Sequence, residues 1–173
     1  MGLDTSWYRG LKKRDDVIFD GEGEPTNVDD YCRPYVNSYF PKQADNIEDR
    51  AIYEYETSGD DGWHGGYGRY SGWRNWLAKI AGYPEGTYEQ YGKDWPSHCV
   101  ECWNGKKGPF SELINFSDCE GVIGPKTSAK LAKDFARFDD KAKADGDEYQ
   151  YAAYCSFRKA FEEAANNGCV SFH

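Results

Sequence analysis

Apolar and aromatic residues recur at three- and four-residue spacing in three stretches of the chain, and each stretch predicts a helix. Over residues 66–81, Tyr67, Tyr70, Trp73, Leu77 and Ile80 define one face, and Gly82 followed by Pro84 stops the element. Over 125–143, Pro125 takes the first helical position and Leu131, Phe135, Phe138 and Ala142 follow on one side. Over 147–167, Tyr154, Phe157, Phe161 and Ala164 face inward, with Asn166-Asn167-Gly168 as the carboxyl-terminal cap. A period of two appears at 51–57, where rings alternate with charges, and at 169–173, where Val170 and Phe172 alternate with Ser171 and His173; both read as short strands. Residues 17–20 are a third strand candidate. The rest of 7–60 is irregular and acidic, 83–110 reads as loop, and 110–116 as a strand or a buried turn. No internal repeat is present. The pattern predicts a single domain of the mixed α/β (α+β) class, with about three main helices, a few short strands and an irregular segment that has too few aliphatics for a core of its own.

Composition sharpens this picture. A chain of 173 residues buries about 70% of its unfolded surface around one core. With 14 Tyr, 9 Phe and 6 Trp against one Met, that core is built from rings, and the same rings suit an exposed binding surface. The net charge of −9 repels a phosphate backbone, so general nucleic-acid binding is disfavoured while a local basic pocket for a small anion is still allowed. No segment approaches the roughly 18 apolar residues of a membrane span, and the first residues hold no apolar run of signal-peptide length. The expectation is a cytoplasmic protein whose six cysteines stay reduced.

Reactive side chains and glycines coincide in Gly62-Trp63-His64-Gly65-Gly66, in Asn115-Phe116-Ser117-Asp118-Cys119-Glu120-Gly121, and at the terminal Phe172-His173. Met1-Gly2-Leu3-Asp4-Thr5-Ser6, Trp63-His64-Gly65 with Trp73-Arg74, Ser117-Asp118-Cys119-Glu120-Gly121 and Phe172-His173 together resemble a family of small uncharacterised proteins from bacterial and phage genomes. The resemblance covers residues 1–6 and about 62–173. In shorter members of that family the opening motif lies almost directly before the Trp-His-Gly motif, so 7–61 look like an insertion, and many members carry His where this chain has Phe116. The resemblance implies that Asp4, His64, Asp118, Cys119, Glu120 and His173 meet in space, and it supplies no catalytic assignment. The competing reading is that these groups only hydrogen-bond one another to lock loops and termini.

Three chemistries compete. Gly121 to Ser128 form a glycine turn feeding a helix with Lys126 and Lys130, which favours an anion although the spacing is not that of a Walker loop. Cys119 as thiolate, with His64 or His173 as base and Asp118 as orienter, would make a nucleophile, though Asp118 and Glu120 oppose the thiolate. His98-Cys99-Val100-Glu101-Cys102 is half of a zinc site without its second pair, and His64, Asp118, Glu120 and His173 could hold a divalent ion. The leading expectation is a binding protein for a nucleotide-like small molecule. Its ligand-binding residues would be Asp4, Trp63, His64, Arg74, Asp118, Cys119, Glu120, Lys126 and His173, with Arg74 or Lys126 taking phosphates and rings stacking on a base. Occurrence of the resembling proteins in phages makes sequestration of a host immune nucleotide signal a candidate role. The alternatives are a hydrolase or metal-dependent enzyme using Cys119 or the His and carboxylate cluster, and a protein-binding module working through 7–61. A homo-oligomer is compatible with all three, and no cofactor is specified.

Overall fold

The computed structural model describes residues 2–116 and 120–173. At its centre lies strand β1 (Gly2–Arg9), in which Leu3, Thr5 and Trp7 are buried on one face while Asp4, Ser6 and Tyr8 point the other way. Next in chain order come β2 (Lys12–Lys13), β3 (Tyr53–Glu54), β4 (Thr57–Gly59) and β5 (His64–Gly66). One long edge of β1 is shared by β5, pairing Asp4 with His64, and β4, pairing Trp7 with Gly59. The carboxyl-terminal strand takes the other edge, and beyond it lies a three-residue strand, Gly121–Ile123. All these pairings are antiparallel.

The three predicted helices are present as α1 (Tyr67–Ala81), α4 (Pro125–Ala144) and α5 (Glu148–Ala164). Between α1 and α4, the expected loop contains an antiparallel hairpin, β6 (Gly86–Gln90) and β7 (Lys93–Ser97), then short helices α2 (Val100–Trp103) and α3 (Ser111–Asn115). The two terminal strands of the order are therefore β8 (Gly121–Ile123) and β9 (Cys169–Phe172). The stretch expected as a strand or turn at 110–116 is mainly helical, and 17–20 form no strand, only an isolated bridge from Phe19 to Pro25. The chain is one mixed α+β domain. Among the described residues no helix is long and apolar enough to cross a membrane.

Strand alternation divides the core into two layers. Trp7, Ile123, Val170 and Phe172 face the helices and join Tyr70, Trp73, Phe135, Tyr154, Phe157 and Phe161 in one ring-rich cluster. Their neighbours Val122 and Cys169 point to the opposite face, where Leu11, Cys32, Ala44 and Tyr53 cover them. Residues 10–56 are thus a lid on the outer face of the sheet. They borrow strand side chains for their core, as expected of a segment poor in aliphatics.

This lid also caps α4. Gly124 supplies no side-chain cap, and the Asp45 carboxylate accepts from the backbone N–H groups of Lys126 at 2.8 Å and Thr127 at 3.0 Å. A carboxylate at a helix amino terminus satisfies orphan donors and meets the positive end of the dipole. Asp45→Ala should therefore cost about 1–2 kcal/mol, read as a lower urea midpoint with unchanged slope. An unchanged midpoint would mean that Asp45 does not cap this helix in solution.

Candidate functional site

The lid covers the β1–β9 face at the Tyr8 and Cys169 end, and beyond β9 its Asn37 donates to the Glu120 carbonyl at 2.7 Å. At the other end Asp4 stands between two histidines. His64 is its register partner in β5, and on the β9 side the backbones of Asp4 and His173 exchange hydrogen bonds of 2.8 and 3.0 Å. Directly opposed residues of an antiparallel pair project to the same face, so Asp4, His64 and His173 form a row. Glu120 precedes Gly121, which pairs with Phe172, and so extends the row by one register step beyond His173. Asp4, His64, Glu120 and His173 are all exposed. The structure thus brings four of the expected residues together. Asp118 and Cys119 lie outside the described residues.

The rings of both histidines have polar partners. Nδ1 of His64 meets the Asp4 carboxylate at 3.1 Å, and Nε2 meets the backbone carbonyl of Asp60. Both partners are acceptors, so the two contacts favour the doubly protonated ring of His64. The Asp60 carbonyl first, and then the Asp4 carboxylate against an opposing desolvation, hold its pKa above the usual 6.5. This environment favours the cationic form of His64. Ser6 donates to the Asp60 carboxylate at 3.0 Å, which leaves the Nε2–H of His173 to donate to the Ser6 oxygen at 3.1 Å. In this arrangement the Ser6 hydroxyl is oriented by its neighbours and is not being deprotonated by the imidazole. Ser6 and Asp60 escaped the sequence reading, although the Asp4-x-Ser6 spacing puts both on one strand face.

The raised His64 pKa carries a sign. A group whose folded pKa exceeds its unfolded value stabilises the fold fully below the unfolded pKa, and loses that contribution as pH rises through the folded value. The deficit of His64→Gln relative to the natural chain should be larger at pH 6 than at pH 8.5. With the imidazole half exposed, it should stay below about 1 kcal/mol. Urea titrations at the two pH values test this, and an equal deficit at both would show that His64 is not charged in the folded protein.

The remaining expected site residues have other positions. Trp63 is buried, its ring packed against Tyr70, Trp73 and Tyr149. Arg74 is 1% exposed, donates to the Ile114 carbonyl at 2.7 Å, and lies over the Tyr70 ring. Neither offers a surface to a ligand, and phosphate binding by Arg74 is corrected accordingly: its guanidinium ties α1 to the end of α3. The helix terminus at Lys126 holds Asp45 in the place foreseen for phosphate. Phe116 is fully buried against Phe40 and Phe172. Cys99 and Cys102 are buried thiols whose pKa values are pushed up first by desolvation. The His98 ring is held by the Tyr83 carbonyl at 2.7 Å. Among the described residues no group of three or more His, Cys, Asp or Glu converges as a metal site.

The opposite helix terminus is different. Strand β5 runs straight into α1, whose N-cap Gly66 supplies no side-chain cap and whose first turn holds no acidic residue. Gly66 and Gly68 leave open space around it, and Arg69 is exposed and takes part in no ion pair among the described residues. Tyr149, 55% exposed, stands beside Trp63. A broad hollow of about 770 Å³ lies elsewhere, lined by Arg9, Lys12, Glu54, Tyr55 and Asn166 among others. Of its charged walls, Arg9 engages Glu163 and Glu54 engages Arg14, whereas at α1 the N-cap Gly66 supplies no side-chain acceptor. Comparison with protein-family models, with curated proteins and with solved structures finds no match.

Proposed function

We propose that this protein binds a small phosphorylated, nucleotide-like molecule on the exposed face formed by Asp4, His64 and His173 and the first turn of α1. The observation that carries the reading is the amino terminus of α1, where Gly66 supplies no side-chain cap, continuous with His64 and followed by the exposed cation Arg69, which makes no ion pair among the described residues. Backbone N–H groups and the positive end of the helix dipole attract a phosphate there. The carboxylates of Asp4 and Asp60 accept from hydroxyls such as those of a ribose, and Tyr149 offers an exposed ring for a base. An overall charge of −9 makes the site depend on this local field and weakens long-range attraction. Sequestration of a host immune nucleotide signal is the role that the resemblance to phage proteins supports.

The test is a thermal-shift panel of nucleoside mono-, di- and triphosphates, free nucleosides and inorganic phosphate. A phosphorylated member present at 100 times its Kd should stabilise by about 2.7 kcal/mol. Arg69→Ala and His64→Ala should remove the shift while leaving the ligand-free melting temperature within a few degrees. Denaturing the complex should return the ligand intact, and recovered product would favour the hydrolase alternative. If no phosphorylated compound moves the melting temperature at millimolar concentration, the proposal fails.

A further inference from the structure

We propose that Cys32 and Cys169 are a redox-active dithiol that forms a disulfide fastening the lid to the outer face of the central sheet. The five described cysteines are free, and these two come from opposite sides of one interface. Cys32 is held in the lid by backbone hydrogen bonds of 2.9 and 3.0 Å with Tyr53. Cys169 opens β9 opposite Tyr8. Both line one cavity of about 50 Å³ closed by Tyr8, Val122 and Pro34, and both belong to the small cluster beneath the lid. The neighbouring Cys32 side chain first, and then burial, holds the Cys169 thiol well above its usual pKa. Two buried thiols are brought to one cavity from different elements, the first condition for a disulfide, which needs Cα atoms within about 7 Å.

The reaction balances with a low-molecular-weight disulfide such as oxidised glutathione. Cys32 is 6% exposed and Cys169 fully buried, so the Cys32 thiolate attacks first, forming a mixed disulfide and releasing one glutathione thiolate, which takes up a proton. The Cys32 thiol that raised Cys169 is then gone. The Cys169 thiolate attacks the Cys32 sulfur, the second glutathione leaves, and both electrons end on the two glutathione thiols. Cys169, Ser171 and His173 lie on one face of β9 at alternate positions, so the bond anchors the strand that carries His173.

The full chain is incubated with oxidised glutathione, alkylated, digested and analysed by mass spectrometry. The expected product is a peptide pair joined through Cys32 and Cys169, with a melting temperature raised by roughly 5–10 °C and restored by dithiothreitol. Cys32→Ser should show neither change. Because Cys169→Ser buries a hydroxyl and can unfold the chain, Cys32→Ala is the second control and should melt like the reduced protein. Glutathione stalled on Cys32, a bridge between other cysteines, or modification of the exposed Cys155 alone would overturn the proposal.

Discussion

Phe157→Ala is expected to lower the unfolding free energy by about 3–5 kcal/mol. The ring is fully buried at the point where α5, α1 and the sheet meet. It stacks on Trp73 with centroids 4.6 Å apart, and lies 6.0 to 6.2 Å from Tyr70, Phe161 and Phe172. Truncation removes apolar surface from three elements at once, and rigid neighbouring rings cannot collapse into the space, so the cavity cost adds to the transfer cost. For a domain of this size the loss corresponds to a fall in melting temperature of roughly 10 °C or more. Urea unfolding followed by tryptophan fluorescence measures it directly. A loss under about 1 kcal/mol would mean that α5 does not pack on α1 as described.

Gly168→Ala should be comparably damaging, by about 3 kcal/mol or more. A Cβ at this position would lie 1.9 Å from the backbone oxygen of Tyr8 and 3.1 Å from the Cα of Ala164. Both obstacles are backbone, one in the central strand and one in α5, so no side-chain rotation relieves them. The chain turns here from α5 into β9, whose pairing with β1 places His173 beside Asp4. Gly72→Ala is the matched control. It lies within α1 with nothing within 4 Å of the added carbon, and should stabilise by about 0.5–1 kcal/mol through helix propensity. Equal effects of the two substitutions in urea unfolding would contradict the close approach at Gly168.

What the sequence revealed follows from how far each pattern extends. The helices α1, α4 and α5 carry apolar residues over several turns, so their period is unambiguous. Strand β1 carries a period-two signal in Leu3, Thr5 and Trp7, but a buried threonine does not announce itself, and the acidic stretch that follows reads as loop. The hairpin at 86–97 is largely exposed on both faces, so no alternation marks it; its only local sign is Gly92 after Tyr91, which has a positive φ. Asp4, His64 and His173 were legible as a group only through their motifs. Their contact is produced by strand register, which no local pattern encodes. Arg74 and Lys126 were misplaced for one physical reason: a cation or a helix terminus in a sequence looks available to a ligand, while the fold can engage it internally, as the Ile114 carbonyl and Asp45 do here.

The central claim is that the Asp4–His64–His173 face and the first turn of α1 form one ligand site. Amide chemical shifts during titration of isotope-labelled protein with a nucleoside triphosphate locate binding residue by residue. The account predicts that the largest changes fall on Asp4, His64, Tyr67, Gly68, Arg69 and His173, and that they saturate together. Changes centred on the hollow at Lys12, Tyr55 and Asn166, or on Lys126 and Thr127, would contradict it, as would a spectrum that does not change.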